Sequence, residues 1–452
     1  MSESPALGLF DGVLARGLVR EATSDAAWLD AMLDVEVALA RAEGRAGLFP
    51  MADAEAIDAG RRAARFDIAA LGRDATKIGN PVEPIVRALG AAVGGKPAGQ
   101  IHRGATSQDI LDTAAMLIAH RALSPLLDDL RGAADAAARL AKTHRQTPMA
   151  GRTLLQQALP ITFGLKAAVW LAGLDDAIVR LEEVRRTRLA VQLGGAAGTL
   201  ASLGDAGPRV VSLFAEELAL AEPMLPWHTS RARIAELASA LGEAAGAAGK
   251  PARDITLLAQ TEVGEVREGG AAGGSSTLPH KRNPIAAVAA IACAERAPSL
   301  VGAIFSSMIQ EHERAAGAWH AEWRPFTDLL TTVGSASAWL RESIEHLEVD
   351  VAAMRANLDK TGGLWLAERV TAALVPALGR QEAHDLVTDI AKAAATSGRP
   401  FAEELAGHEK VRPHLTIQKI TELLDPAGYL GSSDVFVDRA LKAHHAKWGK
   451  NA

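Results

Sequence analysis

Between Gly273 and Pro284 the chain reads Gly-Gly-Ser-Ser-Thr-Leu-Pro-His-Lys-Arg-Asn-Pro, placing hydroxyl, imidazole, ammonium and carboxamide groups on one short loop. Gly269, Gly270, Gly273 and Gly274 let the backbone take positive φ and approach a ligand closely, while Pro279 and Pro284 stiffen the downstream half. Such a loop can move and then set. Ser275, Lys281 and Asn283 recur within nine residues, and an apolar helical run follows Pro284 directly, so this is more than a solvated glycine–serine connector. Glycine-rich loops before helices often cradle phosphates, but Lys281 is neither preceded by Gly nor followed by Ser or Thr, which argues against a nucleotide loop.

Two further polar clusters stand upstream. In Gln100-Ile101-His102-Arg103-Gly104-Ala105-Thr106-Ser107-Gln108-Asp109, Thr106 and Ser107 fall where a helix should begin, with Asp109 and Asp112 in its first turns. Plain helix capping explains that pattern, and so does a carboxylate bound by the same hydroxyls and free backbone N–H groups. The other cluster, Met149 to Pro160, holds Arg152, Thr153, Gln156 and Gln157, and Pro160 suits the first position of a helix.

Long helices must carry these clusters. Apolar residues three and four apart mark helices over 24–48, 52–71, from Pro160 through Val184, and over 231–263, 285–310 and 326–347, with Pro251 and Pro298 expected to bend two of them. No segment sustains period-two alternation, so almost no sheet is expected. Shorter helical pieces, broken at Gly362-Gly363, Gly379, Pro400, Pro413 and Gly428, fill the last hundred residues. The domain reading is an N-terminal helical domain over 1–108, a central bundle over 109–347 and a C-terminal helical domain over 348–452.

Aromatics at 4% with a single Tyr argue against a base-stacking platform, and a net charge of −6 argues against a general nucleic-acid or anionic-membrane surface. One cysteine, Cys293, excludes an intrachain disulfide; inside an apolar run it reads as a buried hydrophobe. The first residues show no signal-peptide pattern and no run long enough to span a bilayer, so a cytoplasmic location is expected. No Cys/His grouping has metal-ligand spacing, no metal or cofactor is expected, and His444-His445 reads as solvated.

In order and spacing the three clusters resemble the signature regions of the fumarase/aspartase superfamily. Thr106-Ser107-Gln108-Asp109 matches the first, Gly151 to Pro160 the second, and Gly274-Ser275-Ser276-Thr277-Leu278-Pro279-His280-Lys281-Arg282-Asn283 the third, with Leu278 where Met is usual. The resemblance spans essentially the whole chain. It implies an all-α, three-domain subunit with a central five-helix bundle, assembled as a homotetramer around a twenty-helix core, with each active site drawn from three subunits. It also implies reversible elimination or addition beside a carboxylate. Ser275 would act as the base and Lys281 and Asn283 would hold the carboxylate as charge builds on it, with Ser276, Thr106, Ser107, Gln108, Thr153 and Gln156 binding substrate.

Many members carry Thr-His-Leu-Gln in the second cluster, where the His helps protonate a departing group. Here the run is Thr153-Leu154-Leu155-Gln156, and Leu154 transfers no proton. A carboxylate, with a pKa of about 4, needs no such help as nucleophile or leaving group. With Gly194 to Thr199, Pro226 to Thr229 and Glu311 to Trp319, the pattern resembles the superfamily's bacterial branch that closes 3-carboxy-cis,cis-muconate to a lactone. Arg152, Arg314 and Lys281 would suit a tricarboxylate, with His102 and His228 as further donors. The competing expectations are an adenylosuccinate-lyase-like enzyme releasing fumarate and a non-catalytic structural protein with the same fold.

Overall fold

The computed structural model describes residues 8–269, 278 and 281–449, and its regular structure is overwhelmingly α-helical. The chain divides into two compact units, each gathered from three stretches: Met1–Arg131, Asp176–Gly249 and Val288–Arg341 in the first, and Gly132–Asp175, Lys250–Ala287 and Glu342–Ala452 in the second.

In the first unit, the helix Asp25–Arg45 is started by the Ser24 side chain, which accepts from the Ala27 N–H. Asp25 in its first turn and Arg45 in its last complement the helix dipole. It buries Leu29, Met32, Leu33, Val35 and Leu39, and the helix Met51–Ala63 packs on it. The expected single helix over 52–71 is two, Met51–Ala63 and Ile68–Ala75, because Asp67 caps a new start by accepting from Ala70 N–H. The 37-residue helix Ser107–Thr143 begins in this unit. Its apolar residues Ile110, Leu111, Met116, Ile118, Leu123, Leu126 and Leu127 are buried, as are the alanines between them, which allow close helix approach. Cys293 is fully buried, as its apolar run implied.

The second unit holds most of the sheet. Pro148–Thr153 and Gln156–Thr162 form an antiparallel hairpin, and Val266–Glu268 pairs with Leu347–Val349. This corrects the helix start assigned to Pro160. That residue lies in a strand opposite Ala150, and Thr162 instead starts the helix Phe163–Thr187 by accepting from Leu165 N–H. Gly151 makes the hairpin feasible, since a Cβ there would stand 2.5 Å from the Leu159 carbonyl oxygen, where the register shifts.

C-terminal helices Ala367–Leu378, Arg380–Ser397, Phe401–Gly407 and Ile417–Leu423 share a core of Val370, Leu374, Val387, Phe401, Leu405 and Ile420. The final helix, Ser433–Trp448, is anchored by His444, which was expected to be solvated. His444 is buried between two carboxylates, with Nδ1 2.9 Å from Asp175 and Nε2 3.0 Å from Asp135; only its neighbour His445 is exposed.

By length and composition two helices, Ser107–Thr143 and Ile285–Ser306, could cross a membrane, contrary to the expectation from the sequence. The first is mostly buried inside the protein and is a core helix. Only 28% of the second's apolar window is buried, and the helix carries Glu295, Arg296 and Pro298 in its middle.

Candidate active site

The candidate residues fall into both units. In the first unit the loop before the long helix turns through His102 and Gly104, with φ of 60° and 68°. Asp109 pins this loop. Its fully buried carboxylate accepts from the backbone N–H groups of Thr106, Gly194 and Gly195, each at 2.9 Å, and lies 2.7 Å from His228 Nε2. Gly194 must be glycine, because a Cβ would sit 2.8 Å from the His228 ring. His228 was expected to offer a donor to substrate. It is buried, at 4% exposure, and its Nε2 is engaged with Asp109.

Behind this pin lies a buried charged network. Asp112 accepts from Arg231 at 2.8 and 3.0 Å, from Trp319 Nε1 at 3.0 Å and from Gln108 Nε2 at 3.1 Å. The Nε of Arg231 reaches Glu322 at 3.0 Å. Burial opposes charge on Arg231, but Asp112 and Glu322 outweigh it and raise its pKa. Burial likewise pushes the Glu322 carboxyl up, against the pull of Arg231. Gln108, expected to bind substrate, is 1% exposed, and its amide nitrogen also donates to the His228 carbonyl.

The face in front of the pin suits an anion. Arg314 donates to the Thr106 hydroxyl at 2.9 Å and to the Ala196 carbonyl at 3.2 Å, beside the start of the helix at Ser107. A guanidinium, two hydroxyls and the free N–H groups of a helix N-terminus together favour a carboxylate. His102 Nδ1 lies 2.7 Å from Glu36 Oε1. Thr106, Ser107, Arg314 and His102 are thus gathered in one unit, from residues two hundred apart.

In the second unit the site centres on the hairpin tip. Thr153 pairs with Gln156 across a two-residue turn, Leu154-Leu155, whose φ angles of 50° and 64° are the left-handed pair of a type I′ turn. Leu154 is 97% exposed and Leu155 77%. Arg152, expected to suit a substrate carboxylate, grips buried Glu265 through two nitrogens at 2.6 and 2.9 Å, and Asn357 Nδ2 adds a third donor at 2.7 Å. Its charge is therefore largely compensated inside the unit. Lys281 is exposed and its ammonium has no partner among the described residues; Asn283 is half-buried. Ser275 and Ser276 lie outside the described residues.

Asp109, Asp112, Arg231, Glu322 and Glu265 hold the two clusters, and reading the sequence assigned none of them that task. Buried charges that pair across a hundred residues leave no periodic signal. The hint was local: Asp109 and Asp112 fall three apart on one helix face.

With this geometry in hand, the family is shown by comparison. A family model described as Lyase matches residues 16–298, and another, Adenylosuccinate lyase C-terminus, matches residues 363–440. The chain belongs to this lyase family, the fumarase/aspartase superfamily. Among its relatives, a 3-carboxy-cis,cis-muconate cycloisomerase of Bradyrhizobium diazoefficiens is 47% identical, covering 95% of this chain and 96% of its own. A nitrosuccinate lyase of Streptomyces davaonensis is 45% identical over 96% and 94% of the two chains. The solved structure of a 3-carboxy-cis,cis-muconate lactonizing enzyme from Pseudomonas putida has a TM-score of 0.91 at 43% identity, covering 97% of this chain and 99% of the other.

Proposed function

We propose that the chain closes 3-carboxy-cis,cis-muconate to carboxymuconolactone, an intramolecular addition in protocatechuate breakdown by the β-ketoadipate route, without a cofactor. The hairpin tip carries this reading: Leu154 stands where many members of the superfamily place a proton-transferring His, and it moves no proton. In lactonisation a substrate carboxylate forms a C–O bond to one alkene carbon, and the π electrons move toward the carbon beside another carboxylate. Lys281 and Asn283 hold that charge, and the Ser275 hydroxyl delivers the proton. The ionised substrate takes up one proton as the ring closes, and Ser275 regains the proton it delivers from solvent water; the attacking carboxylate needs no proton removed from it. Arg314, Thr106 and Ser107 bind a second carboxylate, with His102 as a further donor.

The exposed apolar side chains support a homotetramer with shared active sites. Ile285, Val288 and Phe305 on the helix Ile285–Ser306 are exposed, and so is Leu154. Burial against other copies accounts for all four without a membrane. The subunit is read as three segments, 1–108, 109–347 and 348–452, in a cytoplasmic enzyme with no nucleic-acid partner.

A second reading comes from the nitrosuccinate lyase relative, since nitrite is also a weakly basic anion that leaves without a proton. The substrates separate these readings. Incubation with 3-carboxy-cis,cis-muconate is expected to remove the ultraviolet absorbance of the diene. Fumarate released from nitrosuccinate or adenylosuccinate, with the diene untouched, would overturn the proposal. Elution of the protein at the mass of one chain would overturn the shared site.

A further inference from the structure

His102 is held in an unusual way. Its φ of 60° is a conformation that side chains with a Cβ rarely adopt, so surrounding contacts must impose it. The contact present is Glu36, from the middle of the helix Asp25–Arg45, whose Oε1 lies 2.7 Å from His102 Nδ1. Glu36 is 1% exposed, and its other oxygen is buried without a hydrogen-bond partner. Two turns along the same helix Glu43 is also fully buried, with neither carboxylate oxygen partnered. His102 Nε2 has no hydrogen-bond partner among the described residues, and the side chain keeps 23% of its surface exposed.

A carboxylate removed from water costs several kcal/mol unless a charge compensates it. Glu36 has one candidate in hydrogen-bond contact, His102, and an imidazolium would meet that need. The same bond decides what Nε2 can do. A neutral ring donating Nδ1–H to Glu36 leaves Nε2 an acceptor, which repels a carboxylate; an imidazolium leaves Nε2–H a donor, which attracts one.

We propose that Glu36 is a positioning residue that holds His102 as an imidazolium in its left-handed turn, so that Nε2–H is offered to a substrate carboxylate. The groups acting on His102 are Glu36 from the first long helix, Glu83 from the helix Val82–Val93 and Asp109 from the first turn of the helix Ser107–Thr143. Burial lowers the His102 pKa, but the hydrogen bond and charge of Glu36, then Asp109 and Glu83, raise it above the usual value overall. Glu43 does not compete for the charge near neutrality. Burial pushes its carboxyl up to about 8, with Arg103 opposing and Glu36 adding to the rise.

The choice of a carboxylate as the ligand rests on the proposed function; the protonation state of His102 does not. The test is therefore a side-chain NMR titration of the intact protein labelled at histidine carbons, with His102 assigned by the signal lost in His102→Gln. Glu36→Gln keeps the shape and removes the charge. It is expected to lower the His102 pKa by about one unit or more, while Glu43→Gln on the same helix leaves that titration in place below pH 8. In kinetics on the tricarboxylate, Glu36→Gln is expected to raise KM about tenfold near pH 8 with kcat within about twofold, and to add nothing in a His102→Gln background. An unchanged His102 titration in Glu36→Gln would overturn the inference. So would equal KM losses from Glu36→Gln with and without His102. A protein that lacks lactonising activity yet shows the shifted titration would refute the proposed function and uphold this one.

Discussion

The network around Asp112 and the hairpin tip at Leu154 both serve the candidate site, and they are built on opposite principles. Around Asp112 each charge is buried and tied to a partner of opposite sign: Arg231 to Asp112 and Glu322, with Trp319 and Gln108 adding donors. At the tip, two leucines hold left-handed backbone with most of their surface bare. Low dielectric and multiple partners make the first arrangement rigid. Leucine in that conformation costs about 1–2 kcal/mol per residue, which persists only where something else benefits from it. The first region is thus complete within one unit of one chain, and the second gains its packing only if another copy covers it.

The sharpest way to break the contrast is to remove one arginine from each region. Arg231→Ala strands Asp112 and Glu322 in the interior and should cost about 3–5 kcal/mol in denaturant unfolding. Arg152→Ala leaves Glu265 with Asn357 still donating and should cost about 2 kcal/mol. Equal losses would show that the two regions are braced alike.

Arg314→Gln removes a charged donor from the anion-facing side of the network. Losing such a bond is worth roughly 1.5–3 kcal/mol, so KM for the tricarboxylate should rise about 10- to 100-fold, with unfolding stability changed by less than about 0.5 kcal/mol. A large stability loss with unchanged KM would make Arg314 part of the brace.

Two smaller effects refine the picture in the second unit. Leu155→Gly relieves the left-handed strain, so the isolated chain should gain up to about 1 kcal/mol, while assembly weakens through the lost apolar surface. Tighter assembly would contradict the role given to the tip. His444 supplies a pH dependence: its hydrogen bond to Asp175 raises its pKa, burial opposes, and Asp135 adds to the rise. Because the folded value lies above the unfolded one, the stabilisation is fully present below a pH of about 6.5 and is lost as pH climbs through the raised value. Unfolding measured across that window should show the decline in the parent and lose it in His444→Gln.

The helices were legible because three-and-four spacing of Leu, Ile, Val and Ala survives in any context. The pairing of Thr106 with Arg314 was half legible: both residues stood out by type, but nothing local joins positions 106 and 314. The hairpin was missed for a physical reason. A type I′ turn normally announces itself with Asn or Gly, and here two leucines occupy it, while Pro160 matches a helix start equally well. His444 was misread because its partners Asp135 and Asp175 lie on helices far back in the chain. Of the two residues that define the proposed chemistry, Ser275 stood out by its loop but took its role from resemblance, Leu154 stood out only through resemblance, and Ser275 lies outside the described residues.

The most direct test of the central claim is single-turnover conversion of 3-carboxy-cis,cis-muconate by the parent and by Ser275→Ala, with product identified by NMR. The account predicts that the parent forms one lactone, releases no fumarate, and is slowed by about 10²- to 10⁴-fold in Ser275→Ala while still assembling. A Ser275→Ala protein that lactonises as fast as the parent would contradict it.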